Sequence, residues 1–130
     1  MVEKLGLRVG IFSYHEDQEE ILRRMLIRLG HEVITPAAWE SEEIKKLLDK
    51  EGKNLDVVMV YTHPRSSLTS ESITFEARKR NSAVKCVILT LRVSSDLKKY
   101  CDAIAEIPFE QQELDLMLRA LFGEGSKVIH

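Results

Sequence analysis

The sequence lacks several features that would place a protein in a specialised class. It has two cysteines, Cys86 and Cys101, which form neither a disulfide framework nor a metal-binding C-x-x-C pair. No run approaches the roughly 18 apolar residues of a membrane span, and the charged residues 1–6 contain no apolar signal core. These absences predict a cytoplasmic protein with no membrane partner.

Two further absences concern ligands. The chain has 19 Lys and Arg against 21 Asp and Glu, so it lacks the positive charge that drives binding to phosphate backbones. We therefore expect no nucleic-acid partner. Neither G-x-G-x-x-G nor G-x-x-x-x-G-K-[ST] occurs, so the phosphate-binding loops of dinucleotide and nucleotide enzymes are missing. We expect no cofactor.

The composition that remains is that of one folded domain. The chain has 130 residues, of which 44% are hydrophobic and 31% are charged. This length suits a single domain, and the apolar fraction is sufficient for a core. We expect the domain over residues 1–122, followed by a C-terminal tail over 123–130.

Apolar runs alternate with helical periodicity along the whole chain. The runs predict five strands, at residues 7–12, 31–35, 57–61, 84–91 and 103–107. Apolar spacing of three and four residues, with capping residues, predicts five helices. The first covers residues 17–29 before Gly30, the second is capped by Ser41 and the third ends near Arg80. The fourth is short, from 94 to Cys101, and the last runs through Leu121. Strictly alternating elements require right-handed crossovers and parallel strands. We predict an α/β fold with a doubly wound five-stranded parallel sheet of order 2-1-3-4-5, between two layers of helices.

The order and spacing of these elements resemble the receiver domain of bacterial and archaeal response regulators. The resemblance covers residues 7–122. Four segments carry it, namely Leu29-Gly30-His31-Glu32-Val33, residues 56–64 around the third strand, Ile88-Leu89-Thr90, and Pro108-Phe109 before the last helix.

The resemblance also implies which positions carry chemistry in such a domain. Receivers accept a phosphoryl group on an aspartate that ends the third strand, next to an acidic pair that holds Mg²⁺ and a lysine before Pro-Phe. The matching positions here are Ser13 and Tyr14 for the acidic pair, Tyr61 (or Val60, counted from Pro64) for the acceptor, and Ile107 for the lysine, with Leu91 at a normally small position and only Thr90 retained. The resemblance therefore implies a non-phosphorylatable pseudo-receiver that is not an enzyme and that regulates through protein contacts.

A partner surface follows from the same resemblance. Receivers commonly use the face formed by the fourth helix, the fifth strand and the fifth helix for partners and for dimers. Here that face includes Leu97, Tyr100 and Ile104, the last of which stands at an aromatic switch position. We expect a protein partner or self-association, with a homodimer favoured.

One alternative uses the same edge of the sheet for different chemistry. His15 and His63 follow the first and third strands, which are neighbours in this order, and Asp17 lies beside His15. Two imidazoles and a carboxylate would suit a divalent metal, as in a small metal-dependent or flavodoxin-like enzyme. The spacing matches no dense ligand motif, and an acidic residue in the first turn of a helix is explained by the helix dipole. We favour solvated loop residues and no metal.

Overall fold

The computed structural model of the protein describes residues 6–62, 69–93 and 95–122. In those ranges five strands form one parallel sheet of order β2-β1-β3-β4-β5, which confirms the predicted fold. The strands are β1 (Arg8–Phe12), β2 (Glu32–Ile34), β3 (Val57–Tyr61), β4 (Lys85–Thr90) and β5 (Ala103–Glu106). The helices are α1 (Glu16–Arg28), α2 (Ser41–Glu51), α3 (Ser70–Arg80) and α4 (Gln111–Leu121).

The core lies on both faces of the sheet, because successive residues of a strand point to opposite sides. Along β3, Met59 and Tyr61 pack with buried leucines of α1 and α4, whereas Val58 and Val60 pack with buried residues of α2 and α3. All five residues of β3 are buried. A strand covered on both faces reads as a continuous apolar run, which is why residues 57–61 were predictable as the centre of the sheet.

The prediction of five helices was wrong by one. The segment expected to form a helix up to Cys101 contains, in its described part, a single 3-10 turn at Leu97–Lys99. Hydrogen bonds fix the chain on both sides of this turn, since Thr90 Oγ1 donates to the Arg92 carbonyl at 2.9 Å and the Asp102 N–H donates to the Cys86 carbonyl at 2.8 Å. An α-helix has a costly first turn, and so few residues between two anchors favour the tighter 3-10 form.

Element ends also differ slightly from the predictions. Gly30 has a φ of 93°, the left-handed conformation expected just after a helix. Ser41 does not cap α2 as predicted, because it is the first helical residue and Glu40 precedes it without a side-chain cap. The predicted tail at 123–130 lies outside the described residues. Within the described ranges, no helix combines the length and apolar character needed to cross a membrane.

Candidate functional site

The carboxyl ends of β1 and β3 meet at the edge where open α/β sheets bind ligands. Ser13 follows β1 directly and is buried. Its hydroxyl donates to the His15 carbonyl oxygen at 2.9 Å and accepts from the His15 N–H at 3.1 Å. Ser13 therefore closes the turn that leads into α1, and both of these bonds are local.

Tyr61 ends β3 at the same edge. Its side chain is only 7% exposed, and its hydroxyl donates to the Gln18 carbonyl oxygen in α1 at 3.3 Å. Burial raises the pKa of Tyr61 to about 12, so the phenol is neutral at physiological pH. Val60, the other position considered for an acceptor, is fully buried on the opposite face of the sheet. Tyr61 thus fills the edge position with a neutral ring.

Two threonine hydroxyls link the ends of β3 and β4. Thr62 Oγ1 lies 3.2 Å from Thr90 Oγ1, and Thr90 Oγ1 in turn donates to the Arg92 carbonyl oxygen at 2.9 Å. Sequence reasoning identified Thr90 but missed Thr62. The position of Thr62 immediately after the apolar run of β3 could have identified it.

The other positions that the resemblance singles out differ in how far they are buried. Tyr14 is 51% exposed, and its ring lies perpendicular to the rings of His15 and Trp39, with centroids 5.3 and 6.4 Å away. Leu91 is 75% exposed. Ile107 is half-buried against the α1 and α4 side of the core, and its N–H donates to the Thr90 carbonyl at 2.8 Å. An apolar side chain therefore packs at the position where the resemblance implies a lysine.

The residues considered for a metal are only partly described. His15 and Asp17 are both exposed, and Asp17 lies in the first turn of α1. His63 lies outside the described residues. Among those that are described, no group of three His, Cys, Asp or Glu side chains is placed to hold a metal ion. The alternative in which His15, Asp17 and His63 converge is therefore untested, as is our expectation of no metal.

The predicted interaction residues lie in the 3-10 turn (Leu97), directly after it (Tyr100) and in β5 (Ile104). Leu97 and Tyr100 are half-buried and pack against the α2 and α3 side of the core. The Tyr100 hydroxyl lies 2.8 Å from Ser70 Oγ. The backbone carbonyl of Tyr100 accepts a hydrogen bond from the Arg78 guanidinium at 2.8 Å. A cavity of about 390 Å³ lies between Tyr100 and α3, beside Phe75, which is 62% exposed. Tyr100 is thus a packing residue as well as a surface residue.

Comparisons with known proteins bear on the fold. The sequence matches no protein-family model and no curated protein. A response regulator protein from Thermotoga maritima, crystallised with Mg(2+)-BeF, is 24% identical with a TM-score of 0.74, and the match covers 88% of this chain and 98% of that chain. The chemotaxis protein CheY4 from Vibrio cholerae is 17% identical with a TM-score of 0.76, covering 89% of this chain and 98% of that one.

A third similar structure comes from outside that group by its description. It is a putative pilus assembly-related protein from Burkholderia pseudomallei, 13% identical with a TM-score of 0.74 over 95% of each chain. At these identities the similarity concerns the fold. The chain has the fold of response regulator receiver domains. A shared fold does not fix function, because one framework can carry different sites.

Proposed function

We propose that this chain is a receiver-like signalling module that cannot be phosphorylated and that regulates through protein contacts, including contacts with a second copy of itself. The observation that carries the proposal is Tyr61. A buried, neutral phenol, bonded to the backbone of α1, ends β3 where a receiver has its acceptor aspartate.

The chemistry of phosphoryl acceptance requires groups that these positions do not contain. An acyl phosphate forms when a carboxylate oxygen attacks phosphorus, and a phenol with a pKa of about 12 cannot form one. Mg²⁺ prefers carboxylate oxygens, whereas Ser13 and Tyr14 stand at the acidic pair and the Ser13 hydroxyl is bonded to its own turn. The residues at these positions do not fit Mg²⁺.

Without phosphotransfer chemistry, the protein would regulate through its surface. A module without phosphotransfer chemistry can still regulate by occupying or releasing a partner, since binding shifts the populations of the partner's states. The half-buried residues around the 3-10 turn and β5 support such a role, because Leu97, Tyr100 and Ile104 are neither fully covered nor fully solvated. We expect the protein to act without catalysis.

The proposal is tested by offering the purified chain acetyl phosphate with Mg²⁺ and measuring its intact mass. We expect no covalent addition to the wild-type chain. Addition of one phosphoryl group would overturn the proposal, and two variants would then locate the acceptor. Loss of the adduct in Tyr61→Phe would identify the phenol, whereas loss in Asp17→Asn would identify a displaced carboxylate.

A further inference from the structure

We infer that Cys86 and Cys101 form a reversible disulfide under oxidising conditions, and that this bond weakens the 3-10 turn at Leu97–Lys99. They are the two cysteines of the chain, and both are free thiols in the structure. Cys86 lies at the start of β4 and Cys101 lies just before β5, so the sheet brings together two residues that are distant in the sequence.

Backbone hydrogen bonds limit the distance between the two cysteines. The Asp102 N–H donates to the Cys86 carbonyl at 2.8 Å, and the Cys86 N–H donates to the Asp102 carboxylate at 2.7 Å. Because Cys101 directly precedes Asp102, standard backbone dimensions keep the Cα atoms of the two cysteines within about 7 Å of each other. Disulfides join cysteines whose Cα atoms are roughly 4.4–6.8 Å apart. The pair can therefore be bridged with little backbone movement.

Both side chains lie on the same side of the sheet. Cys86 is fully buried among residues of α2 and α3, and Cys101 is half-buried against the same cluster. Burial raises the pKa of Cys86 to about 11, and Cys101 adds a smaller rise, which indicates that the two sulfurs are near each other. In the described ranges, no group of three metal-ligating side chains includes them. The pair is therefore better suited to a disulfide than to a metal ion.

Cys101 is the cysteine that an oxidant reaches first. It lines a cavity of about 350 Å³ with residues that include Lys98 and Asp102, whereas Cys86 is enclosed. With hydrogen peroxide, the Cys101 sulfur attacks one peroxide oxygen and the O–O bond breaks, which gives a sulfenic acid and water. The Cys86 sulfur then attacks the Cys101 sulfur, the S–O bond breaks, and hydroxide leaves as water with the Cys86 proton. The two thiols lose two electrons, and the peroxide becomes two water molecules.

The surroundings of Cys101 make this reaction slow at neutral pH. Burial raises the pKa of Cys101, the Asp102 carboxylate raises it further, and Arg78 has an opposing effect. The thiolate is the nucleophile, so the rate of disulfide formation should increase with pH. In a reducing environment both residues stay thiols. A slow pair of this kind responds to sustained oxidation rather than to a brief exposure.

Oxidation removes a hydrogen bond from the 3-10 turn. In the reduced protein the Cys101 thiol donates to the Leu97 carbonyl oxygen at 3.0 Å, and the Tyr100 N–H donates to the same oxygen at 3.4 Å. A disulfide sulfur has no hydrogen to donate, so the longer bond from Tyr100 must hold the turn. Leu97 and Tyr100 belong to the partner surface of the proposed function, and control of partners by this disulfide rests on that proposal.

The test starts from the full chain with both thiols reduced, which is treated with hydrogen peroxide at mildly alkaline pH. After denaturation, a thiol-alkylating reagent labels any free cysteine, and digestion with mass spectrometry identifies linked peptides. We expect a Cys86–Cys101 link within single chains and no alkylation of either residue. Cys86→Ser should instead accumulate a sulfenic acid at Cys101, detected by a reagent specific for that group.

Cys101→Ser is the matched control, because it keeps a hydroxyl donor for the Leu97 carbonyl and cannot form the link. It also reports any effect of peroxide on the methionines. In the wild-type chain we expect the Tyr100 amide to exchange hydrogen at least about threefold faster after oxidation. In Cys101→Ser its rate should be the same before and after peroxide.

Three results would overturn the inference. They are two free thiols after treatment, links between chains alone, and a bridge that leaves exchange of the Tyr100 amide unchanged. None of these results concerns phosphoryl transfer, whereas a phosphoryl adduct would overturn the proposed function whatever the state of the thiols.

Discussion

The centre of the sheet and its β5 side are built on different principles. Every residue of β3 is buried between helices on both faces, whereas β5 has three half-buried residues and an exposed Glu106. The centre is stabilised by apolar burial, which is not directional. The β5 side depends on individual polar contacts, above all those of Asp102. This difference indicates that the protein has a rigid interior and a more adaptable edge, because local stability follows local burial.

The largest effect should come from deleting a side chain in the packed centre. Leu118 on α4 is fully buried among α1, β3 and β4, so Leu118→Ala should lower the free energy of unfolding by about 2–5 kcal/mol. Leu116 on the same helix is 61% exposed, and Leu116→Ala should change it by less than about 0.5 kcal/mol. Denaturant unfolding measures both. Equal losses would contradict the comparison.

A smaller effect should come from removing the polar contact at the start of β5. The Asp102 carboxylate accepts from the Cys86 N–H at 2.7 Å and from Arg78 at 3.0 Å. Asp102→Ala leaves the Cys86 amide without its partner and should cost about 1–3 kcal/mol. The control is Asp96→Ala, which breaks an exposed pair with Lys99 and should cost at most about 0.5 kcal/mol.

Chemical denaturation measures the Asp102 and Asp96 variants under the same conditions. If Asp102→Ala is as mild as Asp96→Ala, the polar contact contributes little to the β5 side. Hydrogen exchange should further show that Asp102→Ala raises exchange at β4 and β5 more than at β1.

A buried histidine just before β2, away from the β5 side, is a pH-sensitive position. His31 is 6% exposed, and its Nδ1 accepts from the Leu7 N–H at 3.1 Å, so the neutral ring carries its proton on the buried Nε2. Burial lowers the pKa of His31 below the ordinary 6.5, with a smaller opposing effect from Asp115 and a further lowering by Arg119.

The sign of the pH effect follows from this shift. The unfolded chain binds the His31 proton more readily than the folded protein, so the contribution is complete above about pH 6.5 and is lost as the pH falls toward the folded pKa. His31→Asn keeps an acceptor for Leu7 and removes the titration. Unfolding measured between pH 5 and 7 should therefore show a shallower loss in the variant, and an unchanged slope would exclude His31 as the cause.

Much of the fold could be predicted from the sequence, because buried positions recur at spacings that are typical of strands and helices. The apolar run at residues 57–61 marks a strand covered on both faces, and the three- and four-residue spacing before Gly30 marks a one-sided helix. The residues before Cys101 predicted a short helix, yet the described part of that segment forms a 3-10 turn. A helix prediction uses local residue types, whereas the distance that the chain must span between β4 and β5 is set by the sheet.

The candidate site divides in the same way. The sequence identified which residues stand at the ends of the strands, including Tyr61 and Thr90. The partners of these residues were not, since the Gln18 carbonyl and the Thr62 hydroxyl come from elsewhere in the chain. The ring contact between Tyr14 and Trp39 likewise joins two separate loops.

By itself, the sequence determined the parallel sheet, its order and the tyrosine that ends β3, because these depend on residue type and on periodicity along one chain. The tertiary structure decided that Tyr61 is buried and bonded to α1, that the hydroxyls of Thr62 and Thr90 meet, and that the Tyr14 ring contacts Trp39. Those properties depend on which distant segments meet. Packing in three dimensions sets such contacts, and no local pattern encodes them.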